Sequence, residues 1–164
     1  MGDLSKLGET AGRLLKTRGE TVAVAESSAG GLISAALLAV PGASAYFIGG
    51  GVIYTHKARE LFTDIELDHH PGMRSSSEPY AALLAETMRR RFETTWGLAE
   101  TGAAGPRGNR YGDAAGHTCI ALCGPVTKVF TLETGDSDRE ANMWRFTETA
   151  LDALVTALKQ PMTA

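Results

Sequence analysis

Residues 21–32 read TVAVAESSAGGL. TVAVA is a short apolar run of strand character, and LISAALLAV (32–40) is an apolar run of helix length ended by Pro41-Gly42. Between them sit one carboxylate, two hydroxyls and two glycines. A strand feeding a helix through a glycine turn is the opening unit of an α/β sheet. In such sheets ligands collect outside the carboxyl ends of the strands. With a helix starting near Ser28, backbone N–H groups around Ala29, Gly30 and Gly31 point outward at a helix end that favours anions. Ser27 and Ser28 each offer a hydroxyl that can attack or bind, while the same loop also serves as a plain capped helix start.

Outward from this stretch, helix and strand signals alternate. DLSKLGETAGRLLKTRGE reads as a helix with Leu4, Leu7, Ala11 and Leu14 on one stripe and Gly19 at its stop. ASAYFIGGGVIYT (43–55) carries strand signals broken by Gly49, Gly50 and Gly51, a pattern for a bulge or a close backbone approach. HKARELF is a short helix, and TDIELDHHPGMRSSS is a polar surface loop. Ser77 caps a long helix, EPYAALLAETMRRRFETT, with Leu84, Met88 and Phe92 inward. WGLAETG, HTCIALC and TKVFTLET are strands, the last two adjacent and so antiparallel. Asp138 caps a final helix with Met143, Phe146, Ala150, Leu154 and Leu158 as its stripe. We expect an α/β fold: one three-layer α/β/α domain over residues 1–164 with a central mixed sheet.

Composition narrows the function classes. With 43% hydrophobic and 21% charged residues, the chain is expected to be soluble and to bury a real core. A net charge of −3 argues against nucleic acid or anionic lipid as a partner. The one basic run, Arg89-Arg90-Arg91, has Glu86 within helical reach and reads as a solvated helix face. Cys119 and Cys123 on one strand lie about 13 Å apart, too far for a disulfide. Free thiols, no signal-peptide core and no membrane-length apolar run lead to an expected cytoplasmic location without a membrane partner. His69-His70 does not have the spacing of a metal site, so no metal is expected.

Two more loops join AESSAGG as candidates. TGAAGPRGNRYGDAAG (101–116) is too long and polar to be an idle connection. GGGVIYTHKAR places Tyr54, His56, Lys57 and Arg59 just after a strand. Here the chain resembles the CinA C-terminal domain family of nicotinamide-nucleotide amidases. AESSAGGL is similar to that family's AESCTGG loop, and PGASAYFIGGGVIYT with its basic helix to the PGAS…F.GG.V.Y(S/T)N.AK stretch. TGAAGPRG is similar to (S/T)GIAGP.GG, and Gly116-His117-Thr118 stands where the family has VGTV. The resemblance runs from about residue 4 to 158 and points to the type without an N-terminal molybdopterin-binding-like domain.

The resemblance implies an amidohydrolase that converts nicotinamide mononucleotide to nicotinic acid mononucleotide and ammonia, without a cofactor; a homo-oligomer (dimer or higher) is expected beside it. LISAALLAV and the strands are candidates for a symmetric contact. The family serine falls on Ser27 and the tyrosine on Tyr54; the family lysine, the expected partner of that serine, falls on Arg59. Glu26, Ser28, Gly30, Gly31, Thr101, Gly102, Gly105 and Pro106 form the implied substrate loops, with N–H groups near Gly30 and Gly31 as oxyanion donors. Arg107 or Arg139 would take the phosphate. The chain departs from the family at Ser28 and Ala29, which replace cysteine and threonine, and at Arg59. A guanidinium stays protonated and cannot be a general base. Lys57, two residues earlier, faces about 200° away on a helix, and His56 is an alternative base. The changes at Ala29 and Arg59 favour a second reading, a nucleotide-binding module without turnover.

Overall fold

The computed structural model describes residues 2–161. Its five-stranded sheet runs in the order β2-β1-β3-β4-β5, with β1 at Val22–Glu26, β2 at Phe47–Val52, β3 at Trp96–Ala103, β4 at His117–Cys123 and β5 at Lys128–Glu133. β1 pairs in parallel with both β2 and β3, and β4 and β5 add two antiparallel strands. The mixed sheet expected from the alternating first half and the adjacent late strands is therefore the observed one.

All five residues of β1 are buried, as a strand with helices on both faces must be. Its alternate side chains serve two separate cores. Val22 and Val24 pack with α1 (Leu4–Arg18), α2 (Leu32–Leu38) and α5 (Arg139–Leu158). Ala23 and Ala25 pack with α4 (Glu78–Arg91). The fold is thus three layers, α/β/α. α3 (His56–Thr63) lies beside α4.

Four sequence readings need adjustment. In α1 the buried line is Gly8, Ala11, Gly12 and Leu15, while Leu4, Leu7 and Leu14 flank it. Small residues win the central line because α2 approaches so closely: a Cβ on Gly8 would stand 2.0 Å from the Ala36 carbonyl oxygen. Residues 43–55 are not one strand. Ala43–Ala45 form a short 3-10 turn before β2, and Ile48 makes the bulge that the glycines announced. Phe92 ends α4 partly exposed, set against Gly49 of β2. The helix after β1 starts at Leu32, not near Ser28, with Gly31 at its N-cap.

Candidate active site

Because β1 and β3 run in parallel, with Ala25 opposite Ala99, their carboxyl ends open on the same rim of the sheet. The connection from β1 to β2 crosses by α2 on one face; that from β2 to β3 crosses by α3 and α4 on the other. The crevice between β1 and β3 is therefore the point where the winding reverses, the usual place for a ligand in an open α/β sheet.

Two buried carboxylates build the floor of this crevice. Glu26, fully buried, accepts N–H bonds from Gly31 (2.9 Å), Ile33 (3.0 Å) and Ser34 (2.8 Å). It is a side-chain cap for α2 supplied from the preceding strand. Glu100, also fully buried, accepts from the N–H groups of Ser27 (3.0 Å) and Ala29 (2.8 Å), from Ser28 Oγ (2.5 Å) and from Thr118 Oγ1 (2.8 Å). Burial pushes the Glu26 carboxyl above its usual range; the Ser34 and Ile33 bonds oppose the rise and the nearby Glu100 adds to it.

This floor corrects the expected oxyanion site. The Gly31 N–H is spent on Glu26, and the Gly30 N–H on the Ser27 carbonyl. Neither glycine lines the crevice, and Glu26 faces α2 rather than a ligand. The hydrogen bonds of these three residues hold the turn. Pro106 is exposed and also stands outside the lining. Ser28 is buried with its hydroxyl committed to Glu100, which leaves Ser27 as the serine whose side chain faces the open space.

That space has two adjoining lobes. The first, about 370 Å³, is lined by Ser27, Tyr54, His56, Arg59, Tyr80 and Thr101, with Ser76 and Tyr111 at its side. The second, about 170 Å³, is lined by Ser28, Gly102, Gly105, Arg107, Gly108 and Arg139. Tyr54, Gly102 and Asn109 border both. The size suits a small molecule. Arg139 stitches the lobes together, donating to the Gly105 carbonyl (2.6 Å) and to Tyr54 Oη (2.9 Å). Three segments far apart in sequence therefore meet. Lys57 is exposed beside Glu60 and borders neither lobe, as its helical angle predicted.

Arg59 differs from every other cation here. It is only 6% exposed, its Nε donates to the Ile65 carbonyl (3.2 Å), and its Nη1 has no partner among the described residues.

The sequence reading missed the second wall. Arg74 makes a two-pronged contact with Asp113 (2.7 and 3.0 Å), and Asn109 Nδ2 donates to the same carboxylate (2.8 Å). Burial alone would raise the Asp113 pKa, but those bonds hold it below its ordinary value. His117 Nδ1 meets Glu133 (2.5 Å) and Nε2 meets the Ser76 carbonyl (2.9 Å). Two acceptors on one ring require both nitrogens to carry hydrogen. Burial pulls the ring's pKa down, and the Glu133 and Ser76 bonds outweigh it, so the net shift is upward.

Residues 4–158 match the CinA C-terminal domain. The chain belongs to that family. A CinA-like protein of Synechococcus sp. (strain CC9902) is 43% identical over 115 residues, covering 68% of this chain and 27% of the relative. A CinA-like protein of Desulforapulum autotrophicum is 36% identical over 146 residues, covering 87% of this chain and 34% of the relative. The chain thus spans about a third of the length of such relatives. Among solved structures, the competence/damage inducible protein CihA from Agrobacterium tumefaciens is 28% identical, with a TM-score of 0.85 and 98% of each chain covered. A competence-damaged protein (CinA) superfamily protein from Klebsiella pneumoniae, 23% identical, shares the fold at a TM-score of 0.88 over 96% of this chain and 98% of that one. No helix among the described residues of this CinA-family chain is long and apolar enough to cross a membrane.

Proposed function

We propose that this CinA-family chain is an amidohydrolase acting on the carboxamide of nicotinamide mononucleotide, with Ser27 as nucleophile. One observation carries the reading: Ser27, Tyr54 and the Gly102–Gly108 loop line a single two-lobed cleft at the switch point of the sheet. The pyridine ring fits the first lobe, among Tyr54, Tyr80 and Ile53. The phosphate fits the second, where Arg107 and the glycine-rich backbone are accessible. Ser27 Oγ attacks the carboxamide carbon and the C–N bond breaks. Ammonia leaves, and water then splits the acyl-serine to the acid. Arg59 cannot take the serine proton. His56, on the same lobe, is the candidate base, and the Arg59 guanidinium is the candidate donor to the oxyanion.

The experiment is ammonia release from nicotinamide mononucleotide by wild type and Ser27→Ala. The expected outcome is release by wild type and background release by the variant at an unchanged melting temperature. Undiminished turnover in the variant removes the nucleophile. Saturable thermal stabilisation without ammonia establishes the second reading, a binding module. That reading is favoured by the fixed charge of Arg59 and by the consumed N–H groups of the Gly30-Gly31 turn.

The homo-oligomer belongs to the same proposal, with the edge strand and α3 supplying more of the surface than α2, which exposes only Leu38 among its large apolar side chains. α2 buries Ile33, Ala36 and Leu37 within the protein, whereas Ile48 and Val52 on the edge strand, and Leu61 and Phe62 on α3, are exposed. Light scattering of wild type and Phe62→Glu checks it, with dissociation of the variant expected.

A further inference from the structure

We propose that Arg59 makes the first lobe an acid-binding site: a subsite for a planar carboxylate, held in preference to the corresponding neutral amide. This deepens the amidohydrolase reading and rests on it for the pyridine ring alone; the charge recognition stands on Arg59 and its surroundings.

Arg59 is 94% buried by its 6% exposure, and a guanidinium does not lose its proton in a protein. A charge this deep is normally neutralised by a carboxylate. Arg59 has none: no acidic oxygen lies within salt-bridge distance of it among the described residues, although Glu60 and Glu66 belong to neighbouring turns. Two other arginines at the cleft, Arg107 and Arg110, are exposed, so water already solvates their charge, and the rest are paired. Arg74 is committed to Asp113, Arg91 to Asp64, and Arg139 to Gly105 and Tyr54. The Arg59 Nε is tied to the Ile65 carbonyl, which fixes the guanidinium plane and leaves Nη1 as a buried donor with nothing to donate to. Arg59 lines the first lobe with Ser27, Tyr54 and Tyr80, and a second hollow with Glu60, Glu66 and Asp68. An N–H that is desolvated, charged and unmatched is satisfied by an anionic oxygen far better than by an amide oxygen.

Carboxylate is the better occupant than phosphate because only one of the lobe's two guanidinium groups, Arg59, is buried between ring-bearing walls, while Arg110 is exposed. A flat acid on an aromatic ring fits that shape, with one oxygen against the Arg59 guanidinium. In the amidase reading this group is the reaction's own acid, so the protein holds product more tightly than substrate.

The test is titration calorimetry of wild type, Arg59→Lys and Arg59→Gln with two matched pairs: nicotinate against nicotinamide, and nicotinic acid mononucleotide against nicotinamide mononucleotide. Inorganic phosphate is the control for the other anion. Wild type is expected to prefer each acid by about tenfold or more, the scale of one charge-assisted hydrogen bond. Arg59→Gln is expected to lose that preference, and Arg59→Lys to keep part of it. Arg59→Gln is also expected to melt no lower than wild type without ligand, since it removes an unmatched buried charge. The inference is overturned by equal affinity for acid and amide in wild type, by a preference that survives Arg59→Gln, or by phosphate binding as tightly as the acids. It is also overturned if no acid binds. Binding of nicotinate without either mononucleotide supports the inference and sinks the nucleotide reading alone.

Discussion

At position 100 one carboxylate accepts four hydrogen bonds, from two backbone N–H groups and two hydroxyls. Replacing Glu100 with Ala strands three of these donors, Thr118 Oγ1 keeping the Thr101 carbonyl at 3.2 Å, so we expect a loss of about 2–4 kcal/mol in urea unfolding. Thr118→Val, which removes one donor at nearly constant shape, should cost about 1 kcal/mol or less. Glu100 was unreadable in the sequence as a site residue because it stands inside an apolar strand, WGLAETG, with no local pattern to explain it. A lone carboxylate near the end of a buried strand was the available signal. Ser27 and Tyr54, by contrast, were legible through family resemblance. The same resemblance carried Glu26, Gly30 and Gly31 over as binding groups, yet their atoms are consumed in holding the turn.

Among elements, the tightest seam is α1 against α2. Gly8→Ala places a methyl carbon 2.0 Å from a backbone oxygen of Ala36, and neither helix can yield locally. Alanine's better helix propensity, about 1 kcal/mol, opposes this. The clash should win, and we expect a net loss of about 1–3 kcal/mol by chemical denaturation. Gly49→Ala meets first the ring of Phe92, 2.3 Å away at Cε1 but 37% exposed and free to swing. It should cost under about 1 kcal/mol. Element order and type were legible because each helix carries a local signal: Asp138, Ser77 and Thr55 all cap as side chains at their helix starts. The start of α2 was misplaced because its cap comes from Glu26, five residues before the N-cap Gly31. The central line of α1 was misread because glycine carries no hydrophobic signal, although close packing selects it.

Over the whole molecule, charge ties segments that the sheet alone does not join. His117 links β4 to β5 through Glu133 and to the start of α4 through Ser76. Its folded pKa is raised, so the folded state holds a proton the unfolded chain releases. This contribution is complete below about pH 6.5 and is lost as pH rises through the raised value. Urea midpoints between pH 6 and 9 should fall in wild type, and more shallowly in His117→Gln; parallel curves would count against it. Glu86 acts at the other end. Arg89, foremost, holds its carboxyl at about 2, with Cys123 and Arg90 assisting. Its contribution is present above about pH 4.5 and disappears as pH falls toward 2; at a partly exposed helix surface it is worth about 0.5–1 kcal/mol. Acid titration of Glu86→Gln should therefore lack that share of the wild-type loss. The two carboxylates beneath the cleft have a different consequence. Since the bottom of the cavity is built from interior tethers, selection cannot retune it without unravelling a helix start. Chemical diversification has to be written in the outer ring, at Tyr54, His56, Arg107, Arg110 and Tyr111, where side chains can be exchanged at little structural risk.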